Sequence, residues 1–172
     1  VTKRQSHVNV SVSNINVSEI ADIEVKVPAN ATGYVVVVVD GVNYTANLTG
    51  GIGYVHIKGL TNGTYNVNAT YIGDDQYLSS VNGTQAFTVS KVKSAINMTV
   101  SHGGIIANGT DVNITIHAPA DATGKVEITI HDDVKHTTYT IYVNDGAGML
   151  HLETPEIGVY NVTAKYLGDG KY

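Results

Sequence analysis

Gly63-Thr-Tyr-Asn-Val-Asn-Ala-Thr-Tyr-Ile-Gly-Asp74 returns later in the chain as Gly158-Val-Tyr-Asn-Val-Thr-Ala-Lys-Tyr-Leu-Gly-Asp169, and this pair of stretches decides the fold. In the first, Tyr65, Val67, Ala69 and Tyr71 alternate with Asn66, Asn68 and Thr70. In the second, Tyr160, Val162, Ala164 and Tyr166 keep the same phase. A period of two marks a strand with one buried and one solvated face. Recurrence of the whole pattern marks an internal repeat.

The repeat extends outward in both directions. Val1-Thr-Lys3 and Ser6–Ser13 align with Val89-Ser-Lys91 and Ser94–Ser101 at an offset of 88. Pro28-Ala-Asn-Ala-Thr-Gly33 matches Pro119-Ala-Asp-Ala-Thr-Gly124 at an offset of 91, and the opening pair stands at 95. Three residues are added before Pro119, and four more in the hairpin at His131–Thr138. Length changes confined to connections are what a shared scaffold tolerates. Two domains are expected, over 1–92 and 93–172.

Seven strand-like runs fill the first copy, roughly 7–13, 21–27, 33–39, 42–48, 53–58, 64–72 and 85–91. Asp40-Gly41 between two apolar runs signals a two-residue hairpin, and Gly50-Gly51 and Asn62-Gly63 punctuate the later runs. Seven short strands at this spacing predict an all-β chain of two tandem Ig-like β-sandwiches. Tyr65 and Tyr160, near the start of the sixth strand, are the tyrosine-corner candidates, with hydroxyls bonding back to the preceding connection. The second copy stops at Tyr172, which aligns with Tyr77, so it carries no counterpart of Gln85–Lys91. A sandwich without its last strand exposes an edge. The expectation is a strand that lies past Tyr172 or is donated by another molecule. Val1 follows no signal-peptide pattern, which reads as an internal fragment of a longer chain.

Composition bounds the chemistry. Val, Ile, Thr, Tyr and Asn dominate, and charged residues are only 15% of 172. A net charge of −5 with scattered Lys and Arg gives no basic stripe for nucleic acid. No apolar run is long enough to insert in a membrane. With no cysteine, disulfides, thiolate zinc sites and thiol catalysis are excluded. There is no Gly-x-Ser-x-Gly or His-Glu-x-x-His, and Glu occurs only at Glu19, Glu24, Glu127, Glu153 and Glu156. No nucleophile, metal or paired-carboxylate arrangement for catalysis emerges from that set, and the chain reads as non-enzymatic.

Asn-x-Ser/Thr sequons are far more numerous than chance. They fall at Asn9, Asn16, Asn30, Asn43, Asn47, Asn62, Asn68, Asn82, Asn97, Asn108, Asn113 and Asn161, where random placement gives about two or three. Thr suits strands but Asn does not, so outward strand pairing alone does not explain them. Glycosylation in the native host is the expectation.

The blocks at 63–77 and Ala-Phe-Thr-Val-Ser-Lys at 86–91 resemble the bacterial-type Ig-like repeats of prokaryotic surface proteins. With this Asn and Thr richness they are most similar to adhesin-like surface proteins of methanogenic archaea. The resemblance implies an extracellular, envelope-anchored array serving as a stalk or in cell contact. Its partners would be neighbouring Ig-like repeats and another cell surface or glycan. The alternative is a glycan- or protein-binding recognition module, for which Tyr54 and Tyr142 are the outward aromatics.

No cofactor is expected. Calcium is the cation that loop acids would suit, and Asp121, Asp145 and Asp169 are its candidate ligands, brought together by the loops after strands two, four and six. Against it, the first copy has only Gly50-Gly51 in the middle loop, and Ser90–Ser94 is basic. His131-Asp-Asp-x-x-His136 resembles a metal cluster but sits across a turn, and reads as solvated surface. Lys26, Lys58 and Lys125 fall in exposed phase, away from the buried setting an isopeptide bond needs.

Overall fold

The computed structural model describes Val1–Tyr172 and divides into two compact units, Val1–Lys91 and Val92–Tyr172. The first unit holds eight strands. They are β1 (Asn9–Ser11), β2 (Ile15–Asn16), β3 (Ala21–Lys26), β4 (Tyr34–Val39), β5 (Val42–Asn47), β6 (Ile52–Ile57), β7 (Gly63–Tyr71) and β8 (Ser80–Ser90). One sheet runs β1-β3-β6 and the other β2-β8-β7-β4-β5. Every pairing is antiparallel except β2 with β8, which is parallel. This is an Ig-like sandwich, with sequence-adjacent strands exchanged between two sheets.

The alternation read from the sequence sets which atoms meet inside. Ile23 and Val25 from one sheet, and Val35, Val37, Val67 and Tyr71 from the other, are fully buried. Phe87 and Val89 of β8 close the core, each 1% exposed. Their partners across the ladder are Tyr65 and Gly63. Two pieces of strand escaped the sequence reading. Just past the first expected run (7–13), Ile15–Asn16 crosses to the opposite sheet. The last strand starts at Ser80 rather than near Gln85, because its polar opening (Ser80–Thr84) shows no apolar alternation to read.

The second unit holds β9 (Asn97–Val100), β10 (Val112–His117), β11 (Gly124–His131), β12 (His136–Val143), β13 (Ala147–Leu152) and β14 (Asn161–Tyr166), with a short 3-10 turn at Ser101–Gly104. Its sheets run β13-β10-β9 and β12-β11-β14. These repeat the first unit's arrangement with two strands fewer. The segment in the chain position of β2 makes no ladder, and β14 has β11 on one side and no strand on the other. Val112, Ile114, Ile116, Val126, Ile128, Ile141 and Val143 form its buried core, while Leu150, Leu152, Val162, Ala164 and Tyr166 pack on it half-buried. The second sandwich thus lacks its final strand.

Turn geometry explains the glycines between β5 and β6 and between β12 and β13. Gly51 and Gly146 have φ of 77° and 76°. A Cβ on Gly51 would stand 2.6 Å from the carbonyl of Pro28, and one on Gly146 2.5 Å from that of Pro119. Only glycine satisfies both the left-handed backbone and the close approach.

Candidate functional site

The most elaborate polar constellation recurs once per unit, where β7 or β14 runs out toward Gly-Asp. In the first unit the Tyr71 hydroxyl donates to the carbonyl of Thr32 at 2.8 Å. Asp74 then accepts from the Thr32 N–H at 2.8 Å and hydroxyl at 3.2 Å. Its other oxygen accepts the N–H groups of Gln76 and Tyr77, both at 2.7 Å. In the second unit Tyr166 donates to the carbonyl of Thr123 at 2.6 Å. Asp169 accepts from the Thr123 N–H at 2.9 Å and from the N–H groups of Lys171 and Tyr172, both at 2.8 Å. One carboxylate therefore fastens two loops in each sandwich.

Charge follows that geometry. The Thr32 N–H, with those of Gln76 and Tyr77, holds the Asp74 carboxyl well below the usual carboxylate range, against an opposing push from burial. For Asp169, burial pushes up, but the donors from Thr123, Tyr172 and Lys171 outweigh it and the carboxyl lies equally low. Burial, then the neighbouring carboxylate, pushes the Tyr71 phenol up to about 12, and Tyr166 likewise to about 12. A carboxylate taking several N–H donors stays ionised, and a phenol held this high stays a donor. Neither is poised for proton transfer near neutrality.

Tyr65 and Tyr160 bond four residues back. The Tyr65 hydroxyl donates to the carbonyl of Thr61, and that of Tyr160 to the carbonyl of Glu156, each at 2.8 Å. Such a bond contributes about 1 kcal/mol. The sequence reading overlooked Tyr71 and Tyr166 as latches, although their equivalence and the following Gly-Asp were visible in the repeat.

The calcium candidates Asp121, Asp145 and Asp169 each have local partners or a turn role in the structure. Two of the three loops that carry them are joined by backbone bonds, Ala118 N–H to Gly146 at 2.8 Å and Gly146 N–H to Ala122 at 3.1 Å, and the third reaches them through Thr123 N–H to Asp169. Their acids, however, are spent separately. Asp169 pins the turn described above. Asp121 is bound by the Lys171 ammonium and the Tyr172 hydroxyl, each at 2.5 Å, which together hold its carboxyl low. Asp145 occupies a left-handed turn position, with φ of 49°, where its counterpart is Gly50. Asp tolerates that conformation better than most residues, so the turn accounts for it. No group of three or more His, Cys, Asp or Glu gathers anywhere in a metal-holding arrangement.

Four of the seven histidines, His56, His131, His136 and His151, make cross-strand contacts. His56 faces Asp22 in the β3–β6 register and its Nδ1 meets the Asp22 carboxylate. His151 faces Asn113 in the equivalent β10–β13 register, with Nδ1 2.6 Å from Asn113 Oδ1 and Nε2 3.3 Å from Asp111. His131 and His136 stack across β11–β12 with centroids 4.9 Å apart, so the hairpin fixes them opposite each other rather than loosely across a turn. Asp132 beside them is taken up by the N–H groups of Val134 and Lys135. Lys26 is exposed and pairs with Glu24 at 3.1 Å. Lys58 and Lys125 are also exposed.

The outward aromatics stand on different units. Tyr54 lies beside His56, centroids 6.3 Å apart, and Tyr142 lies under the Lys125 ammonium at 5.8 Å. Of the twelve sequon asparagines, all but Asn82 and Asn113 are exposed. Asn82 donates its Nδ2 to the carbonyl of Val8 at 3.0 Å, and Asn113 is held by His151. No helix is long and apolar enough to cross a membrane.

Compared with known proteins, the chain matches no protein-family model and no curated protein. Among solved structures it is similar to the fibronectin(III)-like modules of CbhA from Clostridium thermocellum, at 13% identity and a TM-score of 0.42, covering 95% of this chain and 87% of that one. It is also similar to a structure of a 1.5-MDa bacterial ice-binding adhesin, at 19% identity and a TM-score of 0.39, covering 90% of this chain and 55% of that one. A tetra-tandem repeat from the extending region of a large adhesion protein gives 16% identity and a TM-score of 0.39, over 94% of this chain and 48% of that one.

Proposed function

We propose that the chain is a non-catalytic extracellular segment of a larger surface protein, a pair of sandwich modules serving as stalk or adhesion unit. The observation that carries this reading is the outward placement of sequons: Asn9, Asn16, Asn30, Asn43, Asn47, Asn62, Asn68, Asn97, Asn108 and Asn161 all present their side chains to solvent. An acceptor asparagine must be accessible, and such density suits a glycan-coated surface. The loop carboxylates support the same reading, because Asp74, Asp121 and Asp169 are each engaged by donors that fasten loops. The Asn and Thr richness of the outer faces is the feature shared with the adhesin-like proteins of methanogenic archaea, and the proposal extends to that group. Neighbouring repeats are its first partners, and a glycan or second cell surface its distal one.

The test is glycopeptide mass spectrometry on native material, with labelling of intact cells by an antibody to this segment. Surface labelling is expected, with glycans on the exposed sites. Asn82 and Asn113 should be the least occupied, because their side chains already hold Val8 and His151. Bare peptides throughout and label only after permeabilisation would sink the proposal. Binding of the unglycosylated chain to a glycan array, lost on Tyr54→Ala or Tyr142→Ala, would favour the recognition alternative.

A further inference from the structure

The hairpin joining β11 to β12 is longer than its counterpart in the first unit, and the added length carries His131-Asp-Asp-Val-Lys-His136. In the first unit the same connection is Asp40-Gly41, with Val39 opposite Val42 and no histidine. In the second, His131 stands directly opposite His136 in the antiparallel register. One pair further out, the Asp132 N–H donates to the Lys135 carbonyl at 3.1 Å. Hydrogen-bonded and non-hydrogen-bonded pairs alternate along such a ladder, so His131 and His136 form a non-hydrogen-bonded pair, the kind whose facing side chains come closest. Thr129 and Thr138, a pair of the same kind on the same face, bring their hydroxyls to 3.1 Å. Asp132 accepts the N–H groups of Val134 and Lys135 at 2.8 and 2.7 Å, which closes the turn beyond the histidines.

The two imidazole rings lie with centroids 4.9 Å apart and planes within 8° of parallel. A cation held by one nitrogen of each ring, at about 2.0–2.1 Å, lies about 3.2 Å from each ring centre. For an N–metal–N angle of about 90–110°, the two centres are then about 4.5–5.2 Å apart, and the observed spacing falls inside that range. Only the orientation has to change, each ring turning about its Cβ–Cγ bond until a nitrogen points at the common position. That torsion is broad in histidine, and the room exists, since His136 is exposed and His131 half-buried. His56 and His151, by contrast, already give a ring nitrogen to Asp22 and Asn113. The carboxylates of Asp132 and Asp133 stand against the single ammonium of Lys135 in this hairpin, a balance that favours a cation.

We propose that His131 and His136 form a two-histidine site for a divalent late first-row transition cation, with water in the remaining coordination positions. Imidazole suits copper, nickel and zinc, and copper(II) is the ion such nitrogen donors hold most tightly. No third His, Cys, Asp or Glu joins the pair in a metal-holding group, so the protein supplies two ligands. Calcium and magnesium, which take oxygen donors, are poor occupants of such a site. A bound ion cross-links β11 to β12 at the tip of the hairpin, where the ladder otherwise ends in a turn.

The experiment titrates the 172-residue chain with copper(II) chloride in a non-coordinating buffer near neutral pH, read by electron paramagnetic resonance and by hydrogen exchange. One equivalent of copper is expected to show splitting from imidazole nitrogens and to slow exchange over residues 129–138 about tenfold. H131Q and H136Q should each weaken binding about tenfold or more, and the double variant H131Q/H136Q should lose the protection altogether. The control H56Q/H151Q should keep both signals, and excess calcium chloride should displace no copper. Circular dichroism of each metal-free variant checks that the exposed substitutions leave the sandwiches folded. The proposal is overturned if copper leaves residues 129–138 unprotected, if H131Q/H136Q binds and is protected as well as the parent chain, or if the signals vanish in H56Q/H151Q instead. Displacement of copper by calcium would also overturn it, since the donors would then be oxygen. None of these readouts depends on surface labelling, so this inference and the proposed function fail separately.

Discussion

At the residue scale, the side chains that matter most are those whose polar atoms bridge loops. Asp74 ties the loop after β3 to the turn after β7, and Asp169 ties the loop after β10 to the turn after β14. The folded carboxyl of each lies below its ordinary value, so the folded state holds its proton less tightly than the unfolded chain. The stabilisation is then complete above the unfolded value, near 4, and is lost as pH falls through the folded one. Melting temperature is expected to stay flat from pH 7 to 5 and to decline below about 4. In the double variant D74A/D169A the neutral melting temperature should be lower and the acid decline shallower. Equal acid slopes in the two proteins would show that other groups carry the effect. These carboxylates were visible in the sequence as the end of the repeated Gly-Asp, but their role was not. A lone Asp in a loop looks the same whether its oxygens face solvent, a cation or backbone N–H groups. Only the fold shows that Thr32 and Thr123 are within reach.

At the element scale, alternation made the strands legible and left the connections open. Tyr65 to Tyr71 shows its buried face directly in residue type, because a period of two leaves a single choice of inner side, whereas the five valines of Val35–Val39 mark a strand without showing which face is inner. Ser80–Thr84 and Ile15–Asn16 do neither, since ladder bonds there are made by backbone that carries no signature. The turns fall between these extremes. Gly41 and Gly51 both have positive φ, 74° and 77°, yet a Cβ on Gly41 meets nothing within 4 Å whereas one on Gly51 strikes Pro28. Gly41→Ala should cost about 1 kcal/mol, from left-handed backbone alone. Gly51→Ala should cost about 2–4 kcal/mol, because overpacking against a carbonyl adds to it. Urea unfolding of the two variants checks this, and equal losses would mean that the Pro28 loop yields freely.

At the scale of the whole molecule, the two sandwiches share a plan but not a degree of closure. Val55, Ile57, Val67 and Ala69 are between 0% and 5% exposed in the first unit, while their counterparts Leu150, Leu152, Val162 and Ala164 are only half-buried. Apolar area left in contact with water forgoes about 25 cal/mol per Å², so the second unit is the weaker. Calorimetry is expected to resolve two transitions, the lower belonging to Val92–Tyr172. Ile23 and Ile128 are both fully buried, one in each core, and Ile→Ala at such a site costs about 2–5 kcal/mol. Near the midpoint of a domain this size each kcal/mol corresponds to roughly 4–8 °C. I128A should therefore depress the lower transition by about 10 °C or more and leave the upper one in place, while I23A should do the reverse. A single transition moved equally by both substitutions would mean that the two cores melt as one, and the separation into a closed and an open sandwich would have no energetic content.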